Sequence, residues 1–155
     1  MRHAVAAALA LSVTVSAQNQ TPATPAGCIG VPPAVRAATA AVVFSGTVIR
    51  LTPVDVPEWA RGLAQAITLT VDRTWKGDVG REIDLYSFTR TPEHYALRIG
   101  GRYLVFAHAA TDLERSDLNL GRRIAFVIGQ CGDGTTEFPI APRDLAALGP
   151  GEVPR

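Results

Sequence analysis

Few residues of this 155-residue chain could do chemistry, and their spacing assigns most of them to other work. The serines beyond position 17 are Ser45, Ser87 and Ser116, and none lies in the Gly-x-Ser-x-Gly turn that exposes a nucleophile. His94 and His108, with Glu93 beside the first, are residue types that suit zinc. However, fourteen positions separate the two imidazoles and no ligand-spacing motif joins them. They read as a loop residue and a strand-end residue. Glu82 and Asp84 alternate along a strand and share its solvated face, where carboxylates serve solubility. No glycine-rich loop is present to cradle a phosphate. The expectation is a protein that is not an enzyme and that uses no metal or cofactor.

That leaves Cys28 and Cys131, whose role depends on the compartment. Met1-Arg2-His3 is a short positive end, Ala4 to Val15 an apolar run, and Val15-Ser16-Ala17 a small-residue cleavage pattern. Residues 1–17 therefore read as a signal peptide, too short to span a bilayer permanently. Cleavage near Ala17 leaves a secreted or periplasmic protein beginning at Gln18, with no membrane span. In an exported chain two cysteines most simply pair. They lie 131 − 28 = 103 positions apart, and closing such a loop contributes roughly 4–5 kcal/mol in the chain-entropy model. The alternative is two free thiols, one of them reactive. Pro25-Ala26-Gly27 before Cys28 also raises a lipid anchor on that cysteine, although the apolar run ends more than ten residues earlier.

Positioning falls to a β-rich body. Hydrophobic residues make up 47% of the chain and charged residues 19%, enough apolar material for one packed domain. The formal charge of +1 lacks the basic stripe of a nucleic-acid binder; Lys76 is the single lysine, and Arg122 and Arg123 point to opposite faces of a strand. Residues 18–27 are Thr/Pro-rich and read as a flexible linker. Pro32-Pro33 opens a short helix to about Ala40. Strands follow over Ala41–Leu51, with Gly46 a bend, then from Ile67 to Trp75 on period-two alternation, around Ile83 and Leu85, over Arg102–His108 and over Ile124–Ile128. Pro142–Leu148 is a closing helix stopped by Gly149-Pro150, and 150–155 is a tail. Five strands suit a small closed barrel with a core of Phe44, Val48, Ile67, Leu69, Val71, Leu85, Val105 and Phe126. Trp75 ends its strand by closing that core.

The order of Ala41-Val42-Val43-Phe44-Ser45-Gly46-Thr47-Val48, Val71-Asp72-Arg73-Thr74-Trp75-Lys76-Gly77, Gly101-Arg102-Tyr103-Leu104-Val105-Phe106-Ala107, Cys131 and Asp144-Leu145-Ala146-Ala147-Leu148-Gly149 resembles the bacterial TIMP-like group. These are relatives of the tissue inhibitors of metalloproteinases. The resemblance covers about residues 28–149 and implies a mainly β fold: a netrin-type, five-stranded OB barrel with short N-terminal and C-terminal helices. It also implies protein binding, with metalloendopeptidase inhibition as the activity and a zinc metalloprotease as the partner.

In that family a Cys-x-Cys opens the mature chain, and the first cysteine's amine and carbonyl coordinate the protease zinc. Here Cys28 matches the second cysteine and Ala26 the first, so the chelating motif is incomplete. The first cysteine's usual partner precedes the fourth strand, where Thr91-Pro92-Glu93-His94-Tyr95 has none, which leaves Cys28–Cys131 as the remaining bridge. Cys28, Ile29, Gly30, Val31 and Pro32 are then the partner-binding ridge. Trp59 lies in the loop between the first two strands, where the resemblance places partner contacts. Tryptophan is enriched at binding hot spots, though it also serves by folding back over a barrel end. The other reading of the same barrel is a cell-envelope small-ligand-binding or structural module without protease inhibition.

Overall fold

The β-branched run after Ala41 forms a long strand that pairs along both of its edges. In the computed structural model, which describes residues 31–55, 63–89, 97–117, 124–129, 134–137 and 142–155, it becomes β1 (Val42–Val54). Helix α1 (Pro33–Thr39) precedes it. β2 (Leu63–Lys76), β3 (Glu82–Thr89), β4 (Arg102–Ala109), α2 (Asp112–Asp117), β5 (Phe126–Ile128), β6 (Gly134–Glu137) and α3 (Pro142–Leu148) follow.

β1, β2 and β3 pair antiparallel in chain order. β3 then pairs in parallel with β5, β5 antiparallel with β4, and β4 antiparallel with β1, which closes the ring. The protein is thus mainly β, a closed five-stranded barrel of OB type with short helices. β6 continues along the same edge of β4 that β5 uses, pairing Tyr103–Phe106 with Gly134–Glu137. Register shifts in β1 at Ser45/Gly46 and Val48/Arg50 supply the bulges that let one long strand bend around a small barrel.

Alternation decides which side chains fill the interior. Phe44, Val48, Ile67, Leu69, Val71, Leu85 and Val105 are buried there, as expected from sequence. Phe126 is the exception: its strand is three residues long, and it packs against the core only partly buried. Outside the barrel, Ala40, Val43, Leu104 and Phe106 form a second buried cluster. Ala37 of α1, Leu145 and Leu148 of α3, and Trp75 cover it. Trp75 therefore packs on the outside of the barrel, under the terminal helices, where its N–H also finds a partner.

Two elements have no counterpart in the sequence reading. α2 begins with a capping box. The Thr111 hydroxyl accepts from the Glu114 amide at 3.2 Å, and the Glu114 carboxylate accepts from the Thr111 amide at 2.8 Å. β6 is the other. After α3, Glu152 bridges to Thr74 of β2, so part of the tail is held against the barrel.

Candidate protein-binding site

The expected ridge ends at Val31 and Pro32, and its fixed end is built by α1. Proline in the first helical turn has no N–H to leave unsatisfied, and the Pro32 carbonyl accepts from the amides of Val35 (3.0 Å) and Arg36 (3.1 Å). No side chain of α1 is fully buried, so packing alone is a weak anchor. Two cations supply the rest. The Arg36 guanidinium lies 4.1 Å from the Phe106 ring centroid, a cation–π contact that covers a core aromatic. Lys76 Nζ donates to the carbonyls of Ala37 (2.9 Å) and Ala38 (3.0 Å), the end of a helix where a positive charge is favoured. The chain entering at Val31 is thereby tied to β2 and β4. Val31 is half-buried, Pro32 exposed, and Val35 on the same helix is 53% exposed.

Cys28, Ile29, Gly30, Trp59 and Cys131 lie outside the described residues, as do Glu93, His94, Arg122 and Arg123. The described flanks of the two cysteines meet on one strand. Arg36, eight positions after Cys28, lies over Phe106, and Gly134, three positions after Cys131, pairs with Phe106.

His108 sits near the end of β4, and its Nε2 is 2.9 Å from Glu114 Oε1. Burial pulls the Glu114 carboxyl upward. Hydrogen bonds from the Thr111 amide, His108 and the Thr111 hydroxyl, with the attraction of a charged His108, outweigh it and hold the group below its usual range. This pair fastens α2 to β4. Arg115 Nη1, donating to the Ile124 carbonyl at 3.0 Å, fastens the same helix to the approach of β5. Among the described residues no three His, Cys, Asp or Glu side chains converge as a metal site would need.

Ser45 is 1% exposed, which leaves its hydroxyl inaccessible to a substrate. Asp84 accepts from the Thr68 hydroxyl, which in turn accepts from Arg50 Nη2 at 2.9 Å. These form a polar row across three strands of the barrel's outer face. Cross-strand register brings the row together, and the sequence shows only its separate members. The Thr111-x-x-Glu114 spacing, by contrast, was a readable helix-start signal.

No protein-family model matches this chain, and no curated protein matches its sequence.

Proposed function

We propose that the protein is an exported, non-enzymatic binding module whose contact surface is the segment from Cys28 to Pro32, with a zinc metalloprotease as the partner class. The observation that carries this reading is the anchoring of α1. Arg36 on Phe106 and Lys76 on the last carbonyls of the helix hold α1, and with it the chain entering at Val31, against a closed OB-type barrel. A segment held at one end and exposed at Pro32 gives up less conformational freedom on docking than a loose one. A Cys28–Cys131 bridge would pin its other end, and the convergence of their flanks on Phe106 supports that pairing.

The chemistry is occlusion. Ala26 stands where the TIMP-like group carries its first cysteine, so a ridge of this composition blocks an active-site cleft through contact of its backbone and small apolar side chains. Direct ligation of the protease zinc would require processing that frees an amine at the start of the ridge.

The test uses protein recovered from its native export route. N-terminal sequencing should find a start at or near Gln18, and titration should find no free thiol. Inhibition is then measured against a panel of zinc endopeptidases, beside a Val31→Asp, Pro32→Asp variant. Saturable inhibition that the double variant loses supports the reading. A properly exported, bridged protein that inhibits none of the panel and captures none of them overturns it.

A further inference from the structure

We propose that the Arg73–Thr74–Trp75 edge of β2 is a peptide-binding site for a Gly-Pro-Gly-x segment whose glycines take positive φ and whose fourth residue pairs with the edge, closed in this chain by its own Gly149–Glu152. β3 begins opposite Thr70, and the Val71 amide still donates to the Arg81 carbonyl at 2.8 Å. Beyond that point β2 offers an edge, and Glu152 fills it. Its amide donates to the Thr74 carbonyl at 2.7 Å and its carbonyl accepts from the Thr74 amide at 2.8 Å. The flanking side chains complete the grip. Trp75 Nε1 donates to the Gly149 carbonyl at 2.8 Å, and Arg73 Nη1 donates to the Pro150 carbonyl at 2.9 Å.

All four bonds end on main-chain atoms of the strap, while Glu152 is exposed and Val153 is 72% exposed. The site therefore does not select on those side chains. At Glu152 this is strand addition one residue long, and before it two side-chain donors hold a turned backbone, so main-chain bonds hold the peptide and a few close contacts select it. The selective position is Gly151. Its φ is +65°, and a Cβ built there would lie 2.9 to 3.2 Å from three indole atoms of Trp75. Glycine alone brings a backbone so close to the ring. Proline before it presets its own φ, has no N–H to satisfy, and contributes only the carbonyl that Arg73 takes.

A separate Gly-Pro-Gly-x peptide presents the same four groups. It competes with a tethered strap whose effective concentration is on the order of millimolar, so the wild-type edge is closed to dilute peptide. This surface is separate from the Cys28–Pro32 segment, and neither reading depends on the other.

The test uses the full chain carrying Gly149→Ala. Gly149 has φ +79° with nothing near its Cβ position, so alanine strains the hinge without touching the barrel. Gly151→Ala, which strains and crowds the strap itself, is the second variant should the first fail to fold. The peptide Leu-Gly-Pro-Gly-Glu-Val and its control Leu-Gly-Pro-Ala-Glu-Val are titrated in. Exchange of the Thr74 amide and the indole N–H resonance of Trp75, assigned by its loss in Trp75→Phe, are followed. In the variant the Thr74 amide should exchange several-fold faster than in wild type. The glycine peptide should restore protection and shift the indole signal saturably, the control should do neither, and wild type should bind several-fold more weakly. Four results overturn the proposal: Thr74 protection unchanged in both variants; an opened edge that millimolar peptide does not protect; equal binding of the alanine peptide; or a concentration-dependent dimer that closes the edge with the tail of a second copy.

Discussion

Replacing Lys76 with methionine separates the anchoring of α1 from the stability of the barrel. Methionine keeps most of the length of the stem and removes both the charge and the donors that reach the carbonyls of Ala37 and Ala38. A cation at a helix C-terminus contributes about 0.3–1 kcal/mol, and an exposed one sits toward the lower end. Two hydrogen bonds add about 0.5 kcal/mol each, because the released carbonyls return to water. The loss comes to about 1.3 kcal/mol, or about ninefold in an opening equilibrium. It should be local, since α1 buries no side chain fully. The assay is hydrogen exchange on two sets of amides. Ala40, whose amide donates to the Arg36 carbonyl at 3.0 Å, reports the helix, and Ile67 and Val105 report the barrel. Ala40 should exchange about ninefold faster while the core amides hold. Uniform acceleration would place Lys76 among the residues that stabilise the whole fold. An unchanged Ala40 would mean that Arg36 and the apolar contacts suffice. Either result refutes the account of how the ridge is held.

Ile67, with 0% exposure at the centre of the barrel, should cost about 2–5 kcal/mol when truncated to alanine, read as a lower denaturant midpoint at unchanged slope. Thr111→Ala removes the cap of α2 and should cost about 0.5–2 kcal/mol, confined to exchange of that helix. The Glu114 carboxyl lies below its ordinary value of 4.5 in the folded state, so its contribution is complete above that value and lost as pH falls through the lower folded value. Glu114→Gln should abolish the acid-side loss of α2 protection, and a variant that keeps it would point to another group. Cys28→Ser should destabilise by about 2–5 kcal/mol, and reduction of the wild type should do the same. Two titratable thiols in the purified protein would remove the basis for both.

Period-two alternation made β2 readable from Ile67 to Trp75, and Pro142 with Gly149-Pro150 marked both ends of α3. Where β1 runs past Leu51, the sequence misleads, because Pro53 looks like a stop. In the structure Pro53 pairs with Gln65 on a stretch that β4 no longer flanks, where a missing N–H is tolerated. β6 was unreadable for the opposite reason. Gly134-Thr135-Thr136-Glu137 has no apolar alternation, and its strand exists because β4 offers an edge. The same limit applied to Trp75. The strand pattern put it in the barrel core, whereas it lies partly buried outside, and the meeting of its N–H with Gly149 depends on which edge the segment after α3 reaches. Of the expected contact ridge, Val31 and Pro32 lie in the described structure, and local chemistry explains them: two prolines, a first turn and a lysine from a neighbouring strand.

The brevity of β5 has a kinetic consequence. Its three residues are the ring's seam, joining β3 in parallel and β4 in antiparallel register. β1, β2 and β3 are neighbours in sequence and can assemble as successive hairpins. The seam must instead bring Phe126 to Leu85 across a long intervening chain, so loop-closure entropy opposes it until the rest is in place. β5 should dock after the transition state. Val127→Ala, at a position 4% exposed, should then accelerate unfolding with little effect on the refolding rate, whereas Leu69→Ala in the meander should slow refolding. The native lifetime of the barrel would be governed by its shortest slat.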